Sequence, residues 1–379
     1  MLSKRFSSLI RLFAIISLTY LVASCGDGDG PTPVYDTASP PPPSDAYTLV
    51  WSDEFDVDGA PNVKNWRIEE GGGGWGNQEW QTYTDDPENV RVEGGNLVIT
   101  AQCSNAMTDP ALCNTAGDDG TITSARIITN DKVEVKYGNI QARIKVPPGK
   151  GTWPAFWMLG AEFPDKPWPR AGEIDIVEIH QFYSDINTTH TAMHWCDESI
   201  IEPIGDLDKC LSVDDVFGRV FEEQFKKFDF ALSDDYHVFE VDWNEDRVVG
   251  KMDGNAYFSF PIDPATREEF LSKFFMLLNV AVGGTLGGPP NDSTTWPQEM
   301  LVDWVRVYQK NQPDELELVP DQAASPFTYE NFVRIVNSVE YGGDSVVSTV
   351  QRTISEDDEK FSDITPPAVT PLTGNTIVE

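Results

Sequence analysis

Apolar and polar residues alternate in short runs over residues 47–310, and Gly, Asn and Asp separate the runs. Alternation with a period of two predicts half-buried antiparallel strands. The runs with this pattern are 90–92, 97–101, 133–135, 140–146, 238–243 and 302–308. So many short strands in roughly 260 residues predict an all-β, two-sheet sandwich. Only 214–229 and 264–273 have a helical pattern, and it is weak.

The first residues have the pattern of an export signal. Lys4 and Arg5 precede an apolar segment, residues 9–21, which is too short and too poorly flanked for a lasting membrane helix. The Val-Ala-Ser-Cys junction that ends at Cys25 resembles a bacterial lipobox. We therefore expect 1–24 to be a signal peptide and Cys25 to carry the lipid, with ordinary signal-peptidase cleavage nearby as the alternative. The expected location is the outer membrane or the cell surface, with the periplasm as the alternative.

Two segments beside the strand-rich region have a different composition. Residues 25–46 are rich in Gly and Pro and contain almost nothing that could be buried, which predicts an extended spacer after the lipid anchor. Residues 311–379 carry 13 acidic and 3 basic side chains, and we expect this acidic extension to be partly disordered. The predicted folded domain is therefore 47–310.

The charge of the chain excludes one class of partner. There are 27 Lys and Arg residues against 62 Asp and Glu residues, a formal net charge of −35. Nucleic acids and anionic membrane surfaces are bound by clusters of basic residues, so neither is expected as a partner. Contact with a membrane is expected through the lipid anchor alone.

Four cysteines remain beyond the lipobox: Cys103, Cys113, Cys196 and Cys210. In an exported protein their close spacing favours two local disulfides, Cys103 with Cys113 and Cys196 with Cys210. Zinc is the rival explanation. The chain has no CxxC pair and no HExxH motif, so a zinc cluster is not favoured.

The strongest chemical signal is the apolar run 172–180, which contains three acids. On a regular strand Glu173 and Asp175 share one face, whereas Glu178 points to the other. A β-bulge at residues 176–177 would bring all three carboxylates to one face and send Ile174, Ile179 and one bulge residue to the core. Because burial of isolated carboxylates is costly, this face is expected to meet solvent or a substrate.

Paired carboxylates of this kind suit glycoside hydrolysis. A retaining mechanism needs a carboxylate nucleophile and a protonated carboxylic acid about 5–5.5 Å apart, with the pKa of the acid raised. Asp175 between the two glutamates can share a proton, and its charge disfavours ionisation of both neighbours at once. The alternative is an acidic edge strand that keeps the protein soluble.

Several motifs resemble the family 16 glycoside hydrolases and, within them, the laminarinase branch. The segments that carry the resemblance are 74–84, 123–126, 153–159, 168–169, 172–178, 278–284 and 302–308, and together they cover roughly 47–310. The resemblance implies a concanavalin A-like β-jelly-roll sandwich with a concave substrate cleft. It also implies retaining cleavage of β-glycans without a catalytic cofactor.

The resemblance also implies residue roles. Glu173 would be the nucleophile, Glu178 the acid/base and Asp175 the assisting acid, in the bulged branch that includes β-1,3-glucanases and galactanases. Sugar-binding candidates are Asn77, Glu79, Arg126, Trp153, Trp157, Trp168, His194 and Trp195. Among these, we expect His194 to bond near Glu178, and Trp153 and Trp157 to form a stacking platform. A glycine-rich loop, 71–76, is expected to carry Trp75 toward a sugar.

Many relatives in this family hold a structural calcium ion away from the cleft. The matching positions are Glu54, the carbonyl of Gly94 and Asp303, whose oxygens are suitable hard ligands. Ordinary surface acids are the alternative.

The sequence thus predicts a monomeric, lipid-anchored endo-β-1,3-glucanase that acts on laminarin-type chains. The negative surface favours a neutral glucan over sulfated polymers. Mixed-linkage β-glucan or a galactan is the alternative substrate within the family. A non-catalytic β-glucan-binding protein on the same scaffold is the alternative of a different class, although this chain keeps all three acids.

Overall fold

The structure is a computed structural model that describes residues 47–182, 184–196, 219–310, 316–318 and 350–352. The predicted signal peptide, the linker with Cys25, and Cys210 lie outside these residues, as does most of 311–379. Within the described ranges, no helix is both long and apolar enough to cross a membrane.

Strands make up most of the described chain. In chain order they are β1 (Tyr47–Asp53), β2 (Arg67–Glu69), β3 (Gln81–Tyr83), β4 (Val90–Glu93), β5 (Asn96–Cys103), β6 (Ile122–Ser124), β7 (Arg126–Ile128), β8 (Val133–Val135), β9 (Gly138–Lys145), β10 (Thr152–Gly160), β11 (Glu173–Glu178), β12 (Thr188–Cys196), β13 (Arg219–Lys227), β14 (His237–Trp243), β15 (Arg247–Met252), β16 (Asn255–Pro261), β17 (Phe274–Val282), β18 (Gln298–Lys310), β19 (Leu316–Leu318) and β20 (Val350–Arg352). The helices are single turns: Gly74–Gly76, Pro110–Cys113, Glu268–Leu271 and Gly284–Gly287. All six of the strands expected from alternation are present.

The strands form two sheets of ten. One sheet has the order β16-β15-β14-β9-β18-β5-β6-β3, with β1 beside β18 and β4 beside β5. The other has the order β19-β8-β17-β10-β11-β12-β13-β20, with β7 beside β17 and β2 beside β7. Most pairings are antiparallel; β3 with β6 and β13 with β20 are parallel. The prediction of an all-β, two-sheet sandwich is confirmed.

Alternate residues of both sheets fill the core between them. From the second sheet, Phe156 and Met158 of β10, Met193 of β12 and Leu278 of β17 are fully buried in one apolar cluster. The first sheet contributes residues such as Ile140 of β9 to the same cluster. Because side chains alternate along a strand, the intervening residues of β10, β11, β12 and β17 face away from this core, and there they form the candidate site.

The helical pattern at 214–229 is a wrong prediction in its described part. Residues 219–227 are the strand β13, which pairs with β12 along its whole length. Phe221 and Phe225 are spaced four apart, as on a helix, but each stacks on a histidine of the neighbouring strand instead. Tertiary contacts therefore override a weak local pattern. The weak pattern at 264–273 corresponds to the single turn Glu268–Leu271.

One predicted disulfide is confirmed. Cys103 and Cys113 are bonded, with their Cα atoms 6.0 Å apart. Cys196 is also disulfide-bonded, but its predicted partner Cys210 lies outside the described residues.

Candidate active site

A β-bulge in β11 brings the three acids to one face, as predicted. Opposite β10, Phe156 pairs with Val177 and Trp157 with Asp175, so Ile176 is the extra residue. On the other side, the pairing with β12 is interrupted between Asp175 and Glu178. Both bulge residues are buried in the core cluster, although the sequence predicts only one of them there. The bulge gives Glu178 the same orientation as Glu173 and Asp175.

Glu173 lies at the more open end of the row. Its side chain is 15% exposed. The indole N–H of Trp168 donates to Oε2 at 3.0 Å, and Nε2 of His194 lies 3.6 Å from Oε1. Two side chains thus fix this carboxylate while leaving it accessible, as a nucleophile requires.

Asp175 is more deeply enclosed. Its side chain is 5% exposed, and Oδ2 lies 3.3 Å from Nε2 of His194. Burial, together with the negative charge of Glu178, raises the pKa of Asp175 well above its usual range. Asp175 is therefore suited to hold a proton between the two glutamates.

Glu178 has two nitrogen neighbours. The indole N–H of Trp153 donates to Oε1 at 2.8 Å, and Nδ1 of His190 lies 2.9 Å from Oε2. Burial alone would raise the pKa of Glu178, but the hydrogen bond and charge of His190 outweigh it and lower that pKa. Within the acidic row, burial and the charge of Glu178 thus raise the pKa of Asp175, whereas His190 favours the ionised form of Glu178.

The histidine next to Glu178 is His190, which the sequence analysis does not single out. The residue predicted there, His194, lies against Glu173 and Asp175. The reason is the antiparallel register, which pairs Glu173 with His194 and Glu178 with His190. Two histidines four residues apart on the neighbouring strand share a face, and that spacing is the signal that could have identified His190.

The predicted tryptophans of β10 both contact the site. Trp153 is only 7% exposed and serves Glu178 as a hydrogen-bond donor, so little of its ring is free for stacking. Trp157 is more exposed, and its indole N–H donates to Asn279 at 2.7 Å. Trp168 lies 6.0 Å from the ring of His194. Trp157 and Trp168 are therefore the better candidates for a sugar platform.

Trp195 does not belong to the site. It is 2% exposed, packs in the core cluster, and contacts Phe260 and Phe270 edge to face. Trp195 follows His194 directly on β12, and neighbouring residues on a strand point to opposite faces. The prediction of a sugar contact for Trp195 is therefore wrong, and the alternation itself could have excluded it.

Arg126 lies behind Trp157 instead of in the open cleft. Its guanidinium carbon is 4.9 Å from the ring centre of Trp157 and 4.8 Å from that of Trp75. Its Nε lies 2.7 Å from Oε2 of Glu69, and both side chains are about 95% buried. This placement contradicts the predicted contact of Arg126 with sugar hydroxyls and makes Arg126 a support for Trp157.

Glu79 belongs to a buried polar network that also reaches Trp157. Oε2 of Glu79 accepts from Gln81 at 2.6 Å and from the hydroxyl of Tyr83 at 3.4 Å. The same hydroxyl accepts from Asn279, the partner of Trp157. Burial raises the pKa of Glu79 to about 7, although its hydrogen bonds lower it in part.

Asn77 is partly exposed and donates to Oε1 of Glu79 at 3.2 Å. Sugar contact by Asn77 and Glu79 stays a prediction. The expected role of Trp75 is wrong, because this residue is 2% exposed and donates to the carbonyl of Gly71. The glycine loop turns its tryptophan inward, onto Tyr83, and not toward a sugar.

The predicted calcium ligands have partners within the chain. Both carboxylate oxygens of Glu54 accept from Arg306, at 2.9 and 2.7 Å. Asp303 accepts from Arg143 at 2.7 Å, and the Gly94 carbonyl accepts from Asn96 at 3.3 Å. The oxygens are of the right type for calcium, but a cation would have to share them with two guanidinium groups.

In the described part of the chain, one group of three side chains has the atom types and spacing of a metal site. It consists of Glu173, Asp175 and His194, whose potential ligand atoms lie within 4.8 Å of one another. Two of the three are carboxylates of the acidic row on β11, and the third is the histidine that lies against both of them.

Several known proteins are similar to this chain. The family model "Glycosyl hydrolases family 16" matches residues 77–306. A beta-glucanase of Rhodothermus marinus is 34% identical over 69% of this chain and 85% of its own length. A glucan endo-1,3-beta-glucosidase of Cryptopygus antarcticus is 30% identical over 70% of this chain and 93% of its own length.

A solved structure is also similar to this chain. The laminarinase catalytic domain of Thermotoga maritima is 36% identical, with a TM-score of 0.56, over 69% of this chain and 98% of that domain. The family match covers more than half of the chain, and the acidic row lies inside it. This chain belongs to the glycosyl hydrolases of family 16.

Proposed function

We propose that this family 16 enzyme is a retaining endo-β-1,3-glucanase that acts on neutral laminarin-type glucans. The observation that carries the proposal is the bulged strand β11, which gives Glu173 and Glu178 the same orientation but different neighbours. Glu173 meets the indole of Trp168 and is the more exposed, whereas Glu178 is enclosed by Trp153 and His190. Two glutamates in different surroundings can have different pKa values and can therefore act as nucleophile and as acid/base.

In the proposed reaction Glu173 attacks the anomeric carbon, and the bond from that carbon to the leaving oxygen breaks. Glu178 gives its proton to the leaving oxygen, so that a covalent glycosyl-enzyme and a free chain end result. Water then attacks the same carbon, Glu178 takes the proton of this water, and Glu173 leaves. Two inversions return the β configuration. Asp175 lies between Glu173 and Glu178 on β11, and the proton that it holds reduces the repulsion among the three carboxyl groups.

The β-1,3 linkage and the glucan substrate are supported by the named relatives, a glucan endo-1,3-beta-glucosidase and a laminarinase. The charge of −35 supports a neutral polymer, because sulfated galactans would be repelled at low salt. Mixed-linkage β-glucan remains the alternative substrate. A purely binding protein is disfavoured, since all three acids are present and arranged for hydrolysis.

Time-resolved proton NMR of laminarin hydrolysis tests the proposal, because it reports both cleavage and the first anomer released. Fresh β-anomer is expected. Fresh α-anomer would exclude the retaining mechanism, and cleavage of mixed-linkage glucan without cleavage of laminarin would move the substrate to the alternative.

Azide separates the roles of the two glutamates. In Glu173→Ala, azide can attack the free face of the anomeric carbon and is expected to give an α-glucosyl azide. In Glu178→Ala, azide intercepts the glycosyl-enzyme and is expected to give a β-glucosyl azide. The opposite pair of products would exchange the roles.

A structural calcium ion at Glu54, Gly94 and Asp303 belongs to the same proposal. It would supply positive charge between oxygens that Arg306 and Arg143 now bond. Melting in calcium and in chelator tests it: a higher melting temperature in calcium, lost in Asp303→Asn, is expected. Equal melting curves in both buffers would remove the site from the proposal.

We further propose that the mature enzyme is a monomer tethered to a membrane through a lipid on Cys25. The basis is the lipobox-like junction and the Pro-rich segment that follows it. Mass spectrometry of the mature N-terminus is expected to find acyl chains on Cys25, and Cys25→Ser is expected to release the enzyme. Cleavage at another residue, without lipid, would exclude the anchor. Light scattering of the released enzyme tests the monomer.

A further inference from the structure

The proposed acid/base glutamate belongs to a line of three ionisable groups, two buried and one partly buried, on three neighbouring strands. Glu178 lies on β11, His190 on β12 and Glu223 on β13. The imidazole of His190 lies between the two carboxylates, with Nδ1 2.9 Å from Oε2 of Glu178 and Nε2 3.0 Å from Oε2 of Glu223. The three side chains are between 6% and 12% exposed.

The imidazole ring is also held on its faces and edge. Phe225 stacks on it with ring centres 4.4 Å apart and an interplanar angle of 22°. His180 meets it at 4.9 Å, almost perpendicular. These contacts keep each ring nitrogen directed at one carboxylate. A neutral ring would have to place a lone pair against a carboxylate, so the geometry favours the imidazolium with both N–H groups bonded.

This arrangement raises a question about catalysis. A general acid must carry a proton, yet both oxygens of Glu178 accept hydrogen bonds, from Trp153 and His190. Of these two donors, only His190 has a titratable proton, the one on Nδ1, because an indole N–H does not ionise in the working pH range. Its transfer over 2.9 Å would leave neutral His190, with Nε2–H still bonded to Glu223, and protonated Glu178.

We propose that His190, supported by Glu223, is a positioning residue that stores the proton which Glu178 delivers to the leaving oxygen. Glu178 and His190 then share one proton, which moves from Nδ1 to the carboxyl group and on to the leaving oxygen. When Glu178 removes a proton from water in the second step, that proton returns to Nδ1. No proton is gained or lost over the cycle. The inference rests on the proposed role of Glu178 as acid/base.

A shared proton has a consequence for pH dependence. The pair loses its proton at the higher of its two macroscopic pKa values. Among the described residues, the ionisable groups that interact with His190 are Asp175 and Glu178 of β11, His180 just beyond that strand, and Glu223 of β13. Burial would lower the pKa of His190, but the two carboxylates bonded to it raise that pKa. The pair should therefore keep its proton further into alkaline solution than a lone glutamic acid.

Two variants test the proposal through the alkaline limb of kcat/KM, which reports the acid of the free enzyme. In His190→Asn an amide can still donate to Glu178 but stores no proton, so Glu178 deprotonates at its own, lower pKa. In Glu223→Gln the ring keeps an acceptor but loses one negative charge, so the pKa of His190 falls. We expect both limbs to move to lower pH, by about 1–3 units for the loss of one close opposite charge.

Glu222→Gln is the matched control. Glu222 precedes Glu223 on the same strand, but its carboxylate lies 3.4 Å from Arg267, away from His190. This variant removes the same charge, and its alkaline limb should coincide with that of the parent. The activity is measured on laminarin with the full mature chain.

The outcomes separate the two proposals. If the parent does not cleave laminarin, the proposed substrate fails. If the parent is active and the limbs of both His190→Asn and Glu223→Gln coincide with its own, the proton store is refuted. Loss of activity at every pH without a shift of the limb would indicate a structural role and would also refute it.

Nitrogen-15 NMR of the parent measures the protonation state of the histidine rings and does not depend on the folding of a variant. The chain has four histidines, so the ring signals are few. We expect one ring, bonded to two carboxylates, to keep both protons above pH 8. A neutral ring for every histidine at pH 7 would overturn the proposal.

Discussion

Replacement of Arg126 by methionine should destabilise the fold and not merely weaken sugar binding. Arg126 and Glu69 are 5% and 4% exposed, and their charged atoms lie 2.7 Å apart. Removal of one partner of such a buried pair leaves the other charge uncompensated, which costs about 3–5 kcal/mol. At about 2–4 °C per kcal/mol, the melting temperature at pH 8 should fall by about 6–20 °C. Differential scanning calorimetry measures this change.

The stability lost in Arg126→Met should increase with pH. Burial raises the pKa of Glu69, while Arg126 and Arg67 oppose that rise. Without Arg126 the pKa in the folded state rises further above the unfolded value, so folding favours the protonated acid. Stability is then lost as the pH increases from the unfolded pKa toward the folded one. The deficit should therefore be smaller at pH 5 than at pH 8.

The control is Glu69→Gln together with Arg126→Met, which removes both charges of the pair. This double variant should recover part of the lost melting temperature at pH 8 and show little of the pH dependence. If Arg126→Met melts within about 1 °C of the parent and only KM rises, the arginine is a surface contact and the buried assignment is wrong.

Three further predictions concern neighbouring parts of the molecule. Trp153→Phe removes the N–H donor to Glu178. Since a hydrogen bond to a charged group contributes about 1.5–3 kcal/mol, kcat/KM should fall about 10- to 100-fold. An unchanged kcat/KM would contradict the role of Trp153 in holding Glu178. Trp195→Phe should lower the free energy of unfolding in urea and leave KM unchanged, because this ring packs in the core. A raised KM with unchanged stability would instead indicate that Trp195 contacts the sugar. Replacement of Cys103 and Cys113 by serine should cost about 2–4 kcal/mol of stability, measured by urea unfolding. Reduction should then lower the stability of the variant by less than that of the parent, because only the disulfide of Cys196 is left to break.

The sequence correctly predicts which face of a sheet a side chain lies on where the wrong face would carry a large energetic cost. Glu173, Asp175 and Glu178 cannot be buried in an apolar core, and the isoleucines between them cannot all face water. These two demands are compatible only with one extra residue, so the amino-acid pattern is sufficient to predict the bulge at Ile176. The Cys103–Cys113 bridge is predictable for a similar reason, since its short separation of 10 residues favours local closure.

Predictions fail where local patterns are ambiguous or where the alternation is not applied. Phe221 and Phe225 have helical spacing, and only the rings of His194 and His190 on β12 show why they lie on a strand. Trp195 is close to the acids in sequence, which suggests a sugar contact, although its neighbour His194 already occupies the cleft face. A tryptophan near catalytic residues is evidence for sugar binding only when its position in the strand agrees.

The partners of each acid depend on register, which local sequence does not contain. Alternation shows that His190 and His194 share a face, but not which of them lies opposite Glu178. That choice follows from the pairing of β11 with β12, and the position of Glu223 follows from the pairing of β12 with β13. A shift of two residues would keep every side chain on its face and still place other residues opposite Glu173 and Glu178. The different surroundings on which the two proposed roles rest therefore arise from strand pairing: Glu173 receives Trp168 and His194, and Glu178 receives Trp153 and His190.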